Sequence, residues 1–360
     1  MTAVEPVVLA INPGSTSTKL GVFQGAETLA ISELRHAEDE LRQYADRPIL
    51  DQQGFRRETV RLWLESAEVP PLDAVSARGG LLPPLGSGTY EVNEAMLATL
   101  ARHERGEHAS NLGAPLAAEV SAKASIPAFI VDPVSVDEWP DHVRLSGHPL
   151  LTRQCLSHAL NTKAVAKLHA NKTGTAYHDL KLVVAHLGSG ISVSAHLDGM
   201  MIDVCNSREE GAFSTERAGG VPVMALVDLC FSGTHDRREI ETLLFRAGGL
   251  SAYLGTRDLL EVERRIAAGD DQAALVFRAM AYQVSCEIGA KAAALQGQPD
   301  AILLTGGMAR SQALVDAISA PLRWMADVHV YPGEDELRAL ADGALRVLSG
   351  AERVLEFRAP

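Results

Sequence analysis

The sequence predicts an α/β protein of two domains related by internal duplication, and three observations carry that expectation. Residues 7–25 (VVLAINPGSTSTKLGVFQG) and 181–199 (KLVVAHLGSGISVSAHLDG) align with an offset of 174, which places Gly14 on Gly188, Ser15 on Ser189, Thr18 on Ser192, Phe23 on Leu197 and Gly25 on Gly199. Short apolar runs ending in Gly-rich or acidic turns alternate with helical patterns, the layout of a largely parallel sheet with ligand groups at the carboxyl ends of its strands. A chain of 360 residues, 46% hydrophobic and 22% charged, is also long enough to bury two ordinary cores.

Each copy of the repeat reads as a β-hairpin: an apolar run, a turn rich in Gly, Ser and Thr, an alternating run and a terminal Gly. A concave turn without bulky side chains aims several backbone N–H dipoles at one point and so suits a phosphate. Neither turn is a common nucleotide motif. Position 18 is Thr where a P-loop needs Gly before Lys19, and Val193 stands where a dinucleotide fingerprint needs its third glycine. The pair is instead similar to the two hairpins of the actin, Hsp70 and sugar-kinase group (ribonuclease H-like domains), which implies a nucleotide in a cleft between the halves.

The remaining elements follow in order. Residues 48–68 carry a helical pattern that stops before Val69-Pro70-Pro71, and residues 73–77 form a short strand running into Arg78-Gly79-Gly80. Helices are expected at 92–103 and, after a cap at Ser110 or Asn111, at 113–124. A buried strand over 127–132 ends on Asp132, and a long helix is expected over 149–169. After the second hairpin comes an irregular Gly-rich segment, 207–222. Helices follow at 236–246, at 257–268 with Thr256 as cap, and at 271–295. A strand at 301–304 leads into Thr305-Gly306-Gly307, and a last helix covers 334–348. Pro140 and Gly147 break the pattern, so the first domain is expected to span 1–144, completed by 334–360, and the second, nucleotide-binding domain 145–333.

Charge and composition exclude several classes. A net charge of −13 with no compensating basic stretch argues against nucleic acid as a partner. Any anionic substrate must then be drawn in by local arginines. Cys155, Cys205, Cys230 and Cys286 have no C-x-x-C spacing and read as buried thiols of a reducing compartment. The start of the chain shows no leader pattern and no apolar run approaches a membrane span, so a soluble cytoplasmic protein is expected.

Five motifs in one order span most of the chain: Asn12-Pro-Gly-Ser-Thr-Ser-Thr-Lys19, Ala77-Arg-Gly-Gly-Leu-Leu82, His186-Leu-Gly-Ser-Gly190, Phe213-Ser-Thr-Glu-Arg-Ala-Gly219 and Thr305-Gly-Gly307. Together they resemble the acetate/butyrate kinase family, and the length and the Arg-Gly-Gly-Leu-Leu form resemble its butyrate kinase branch most. The resemblance implies transfer of the γ-phosphoryl group of ATP, with Mg2+, to a short-chain carboxylic acid, giving an acyl phosphate and ADP. It also implies a homodimer or higher homo-oligomer and no membrane partner.

A carboxylate is ionised at neutral pH, so its attack on phosphorus needs no general base. It needs charge cancellation, which positioned arginines supply. By the resemblance, Arg78 holds the substrate carboxylate and Arg217 the transferring phosphoryl group, although Glu216, Arg208, Glu209 and Glu210 also let Arg217 read as part of a solvated charge run. His158 matches the family's active-site histidine and donates a hydrogen bond to the phosphoryl group. Asn12 positions phosphate or metal, and Asp132 holds Mg2+ or its waters, with a turn cap before Pro133 as the rival reading. Ser15, Thr16, Lys19, His186, Gly188, Ser189 and Gly190 contact nucleotide phosphates, and Gly306-Gly307 form an adenosine platform.

One departure stands out. Acetate kinases carry Gly-x-Gly-Glu-Asn at the last turn, and here Ala309 replaces the Glu, which leaves water, Asp132 or another acid such as Glu334 as the replacement ligand, a choice the sequence does not decide. Within the class, isobutyrate, propionate or acetate are rival substrates. Outside it, a non-kinase ATPase of the same fold, or a relative that binds nucleotide without turnover, is the alternative.

Overall fold

The computed structural model describes residues 5–45 and 47–359; residues 1–4, ahead of the first strand, lie outside it. The chain divides into two compact units, Met1–Asp137 with Asp335–Pro360, and Glu138–Glu334.

The first unit opens with an antiparallel meander of β1 (Val7–Pro13), β2 (Ser17–Gln24) and β3 (Glu27–Arg35). It continues through α1 (Glu38–Arg42), α2 (Gln53–Ser66), β4 (Ala74–Arg78), β5 (Thr89–Glu91), α3 (Glu94–Ala101), α4 (Gly113–Ala124) and β6 (Ala128–Val131). The second unit holds α5 (Ala159–Thr173), a second meander of β7 (Leu182–Leu187), β8 (Ile191–Leu197) and β9 (Met200–Val204), and then α6 (Val223–Phe231), α7 (Arg237–Phe245), α8 (Gly249–Leu254), α9 (Leu259–Ala267) and α10 (Asp271–Ala294). It closes with β10 (Ala301–Gly306), α11 (Gln312–Ser319) and β11 (Val328–Pro332). The chain then returns to the first unit as α12 (Glu336–Leu348) and β12 (Leu355–Glu356).

The sheets are ordered β12-β5-β6-β4-β1-β2-β3 and β11-β10-β7-β8-β9. In both, the first strand of a three-stranded meander pairs on its other side with a parallel strand, β4 or β10. The duplication seen in sequence is therefore present in the topology. The second and third strands of each meander also carry a bulge, at Val22/Phe23 and at Ala195/His196, one residue apart under the same offset.

All seven residues of β1 are buried because both faces of its sheet are covered. Leu9 and Ile11 pack with Val75, Ala77, Leu112 and Leu116 on the α4 side, while α12 covers the opposite face and brings Gly343 against Val131. In the second sheet the same alternation sends Val183 and Ala185 toward α10 and Leu182 and Val184 toward α5. These pleats set which strand-end residues share a face.

Several expectations need correction. The helix expected over 149–169 begins at Ala159, leaving His158 as its N-cap with φ −86° and ψ 52°. Tertiary contacts override the local pattern there: the Arg153 guanidinium bonds the Val143 and Val204 carbonyls, Asp203 and Glu210, and lies 4.6 Å from the Trp139 ring centroid. α9 is capped by Asp258, not Thr256. No side chain caps α4, since a 3-10 turn over 109–112 leads straight into it. Asn111 Oδ1 instead accepts from Leu81 N (2.8 Å) and pins the loop after Arg78. Of the four, Cys155 and Cys205 are buried, whereas Cys230 and Cys286 lie on the exposed sides of α6 and α10. Strands β3, β5, β9, β11 and β12 and helices α6, α8 and α11 were not anticipated, being short, edge-placed or hidden in Gly-rich sequence.

Candidate active site

Three candidate residues of the first unit lie at the carboxyl ends of adjacent parallel strands. In the order β6-β4-β1, Ile130, Ala77 and Ile11 share one row of the sheet. The next row brings Val131, Arg78 and Asn12 level on the face covered by α12, and Asp132 follows one residue on. Neighbouring strands are about 4.8 Å apart, so these groups necessarily form one cluster. Glu336, at the start of α12, closes it: Asn12 Nδ2 donates to Glu336 Oε2 (2.5 Å) and Arg78 Nη1 to Glu336 Oε1 (2.5 Å). The Arg78 and Glu336 side chains are only 18% and 11% exposed. The Arg78 Nε is buried and has no hydrogen-bond partner among the described residues, a deficit that a bound acceptor would remove.

Asp132 is buried, and its φ of +37° is a left-handed conformation that a non-glycine residue adopts at a cost of about 1–3 kcal/mol. Its Oδ1 accepts from Ser87 Oγ (2.6 Å) and Gly88 N (2.8 Å), and its own N–H donates to the Gly88 carbonyl (3.1 Å). The carboxylate thus ties down the 85–88 loop as well as ending β6.

The β1–β2 turn is closed by Gly14 N donating to the Ser17 carbonyl (2.8 Å), with Ser15 and Thr16 exposed on its outer side. Lys19 is an exposed strand residue opposite Asn12. Thr18, by contrast, is fully buried beneath the turn, where its hydroxyl meets His36 Nε2 at 2.9 Å.

In the second unit, His186 and Ser192 face each other across the β7–β8 turn. His186 is buried; its Nδ1 lies 2.8 Å from Asn161 Oδ1 and its Nε2 3.1 Å from Glu334 Oε1. His158 stacks on it, with ring centroids 3.9 Å apart and planes within 13°, and its Nδ1 lies 2.9 Å from Ser192 Oγ. A Cβ at Gly188 would approach His186 Nε2 to 3.1 Å, so glycine leaves the rings uncovered there. A Cβ at Gly190 would sit 2.6 Å from Arg217 Nη1, so the Arg217 guanidinium can rest on this turn only because residue 190 has no side chain. Ser214 Oγ donates to the Ser189 carbonyl (2.5 Å) and fastens the 213–219 turn to the hairpin.

Arg217 is no member of a solvated charge run. Its Nη1 donates to the Ser207 carbonyl (2.9 Å) and Oγ (3.2 Å), and burial, the dominant influence, holds its pKa below the usual guanidinium value. The acids around it are engaged elsewhere, Glu210 with Arg153 and Glu216 with Arg257 (2.8 Å). Gly306 has φ +90°, and a Cβ there would lie 2.3 Å from the Leu187 carbonyl. Gly307 faces open space, and Ala309 is buried.

Residues 148–326 match the acetokinase family model. The acetokinase stretch lies wholly in the second unit and contains His158, His186, Gly188, Ser189, Gly190, Arg217, Gly306 and Gly307. Over nearly the whole chain, the structure is similar to that of Porphyromonas gingivalis acetate kinase, with a TM-score of 0.79 and 20% identity over 95% of this chain and 100% of that one. It is also similar to a propionate kinase from Francisella tularensis subsp. tularensis SCHU S4 (TM-score 0.74, 16% identity, 93% and 98% covered) and to acetate kinase from Entamoeba histolytica (0.73, 15%, 94% and 98%). The fold is the two-domain actin/Hsp70-like ATPase fold.

Sequence reasoning missed Glu336, Asn161 and Ser207, each a polar partner of a candidate residue. Glu336 was masked by its neighbours: Glu334, Asp335 and Glu336 read together as the acidic first turn of a helix. Only the fold distinguishes Glu334, on His186, from Glu336, on Arg78.

Proposed function

We propose that the protein is an ATP-dependent kinase of short-chain carboxylates, forming an acyl phosphate and ADP, with butanoate as the favoured acid. The observation that carries the reading is Arg78: a guanidinium at a strand's carboxyl end, held by Glu336 through Nη1, with its buried Nε left unsatisfied. A carboxylate supplies the acceptor that this edge lacks, in a planar geometry that arginine matches. The acetokinase stretch and the acetate and propionate kinase likenesses support the same reaction class.

In this reading Arg78 orients the acid with one carboxylate oxygen toward phosphorus. Arg217, low in solvent exposure and with its guanidinium held by neutral Ser207 oxygens, offsets charge on the transferring group, where a partly desolvated guanidinium acts most strongly. His158, fixed by Ser192 and by stacking on His186, donates a hydrogen bond to a phosphoryl oxygen and moves no proton. The turns at Ser15-Thr16 and Gly188–Gly190, with Lys19 beside the first, bind phosphate oxygens. Gly306 and Gly307 give the adenosine a surface free of side chains. The two compact units serve as the two domains.

The donor set fits Mg2+ brought in with the nucleotide. Among the described residues no group of three or more His, Cys, Asp or Glu is placed to hold a metal alone, and Mg2+ characteristically takes one or two carboxylates plus phosphates and water. Asn12, Asp132 and Glu336 are the buried oxygen donors of the first unit that would hold it; when bound, it neutralises phosphate charge. Glu334, tied to His186, and Ala309 are not part of that set. We place the enzyme in the cytoplasm. The exposed apolar side chains of α6, Val223 (71%), Met224 (69%) and Phe231 (87%), support assembly as a homodimer or higher homo-oligomer.

Hydroxylamine trapping with Mg·ATP across unbranched C2 to C5 acids and isobutyrate tests the reading. The expected result is acyl hydroxamate from several acids with the highest kcat/KM for butanoate. ATP hydrolysis without hydroxamate from any acid contradicts it and favours the non-kinase ATPase alternative.

A further inference from the structure

Arg56, the fourth residue of α2, is fully buried at 0% exposure. Its Nε and Nη2 donate to Gln52 Oε1 (3.0 and 2.9 Å), its Nη1 to the Ser17 carbonyl (2.9 Å) and Thr18 Oγ1 (3.2 Å), and its Nη2 also to the Ser15 carbonyl (3.2 Å). Every acceptor is neutral. Burial lowers the pKa to about 10, so the group stays charged at neutral pH. The neighbouring His36, which shares the Thr18 hydroxyl, is pushed down to about 4 by burial and by Arg56, so it stays uncharged.

Among the described residues Arg56 makes no ion pair, and a buried charge without a counter-charge is costly. The arrangement makes sense if the counter-charge arrives with a ligand. Arg56 grips the inner, carbonyl side of the β1–β2 turn, and the outer side presents Ser15, Thr16 and the backbone around Gly14. Lys19, being solvated, cannot supply an equally strong field.

We propose that Arg56 is a positioning residue for the anion received by the Gly14–Thr18 turn: it fixes the turn through the Ser15 and Ser17 carbonyls and holds positive charge one backbone layer beneath the bound phosphoryl group, without touching it. This rests on the reading of that turn as a phosphate site. Charge, rather than hydrogen bonding alone, is the distinguishing content.

The test is binding of acetyl phosphate to the full chain at pH 6, followed by its shift of the melting temperature, in wild type, Arg56→Gln and Arg56→Lys. Both substitutions retain donors for the carbonyls, but only Lys retains charge. Both should melt earlier without ligand. The Gln variant should bind acetyl phosphate at least about tenfold more weakly, and the Lys variant should stay within about threefold of wild type. A Gln variant that binds like wild type, or a Lys variant as weak as Gln, overturns the inference. Should the Gln variant fail to fold, a loss of about tenfold or more in the Lys variant overturns it alone. The kinase reading fails separately: a wild type that binds acetyl phosphate but forms no acyl hydroxamate contradicts that reading and leaves the Arg56 comparison intact.

Discussion

At the scale of residues, the site is governed by what glycine permits and what burial demands. Gly190 is the clearest case, because the Arg217 guanidinium occupies the space a Cβ would need, at 2.6 Å from Nη1. Gly190→Ala should therefore displace Arg217 and lower kcat about tenfold to a hundredfold, the scale of losing one transition-state stabiliser. The melting temperature should fall by no more than a few degrees, since the substitution adds one methyl group to a single turn. Steady-state kinetics with thermal melts check this; unchanged kcat would remove Arg217 from the chemistry. From its neighbours in the chain Arg217 reads equally as part of a charge run or of a site. The choice depended on Glu210 and Glu216 finding Arg153 and Arg257, residues 57 and 41 positions away.

At the scale of elements, the hairpins were legible because period-two apolar runs and a Gly-rich turn are local signals. The start of α5 was not, because Arg153 and its distant partners decide the conformation of the segment before it. The same holds for the β1–β2 turn: Thr18 looks like an ordinary strand residue, yet Arg56 and His36 converge on its hydroxyl. This element carries a pH signature. His36 titrates near 4 in the fold and at 6.5 when unfolded, so between these values the unfolded chain binds the extra proton. Stability should fall as pH drops from 6.5 toward 4, and His36 should contribute no pH dependence above that window. Urea midpoints at pH 4.5 and 7 should show a smaller acid loss for His36→Gln than for wild type. An equal loss in both would mean that His36 is not held neutral.

At the scale of the molecule, the repeat at an offset of 174 residues announced the duplicated architecture, and both sheets carry it as a meander flanked by a parallel strand. The sequence motifs also placed Asn12, Arg78 and Asp132 at strand ends, because a Gly or an acid directly after an apolar run marks a carboxyl end. What they could not place was Glu336, which reaches Arg78 across 258 positions, since α12 must first return to the first sheet.

The central claim is that Arg78 receives the carboxylate that is phosphorylated. The measurement that tests it most directly is the steady-state KM for the acid and for ATP, with kcat, in wild type, Arg78→Ala and Arg78→Lys. Arg78→Ala should raise the KM for the acid at least about tenfold and lower kcat, leave the KM for ATP within about twofold, and be only partly rescued by Lys, whose ammonium lacks the planar fork. Wild-type kinetics in Arg78→Ala, or a loss confined to ATP, would contradict it.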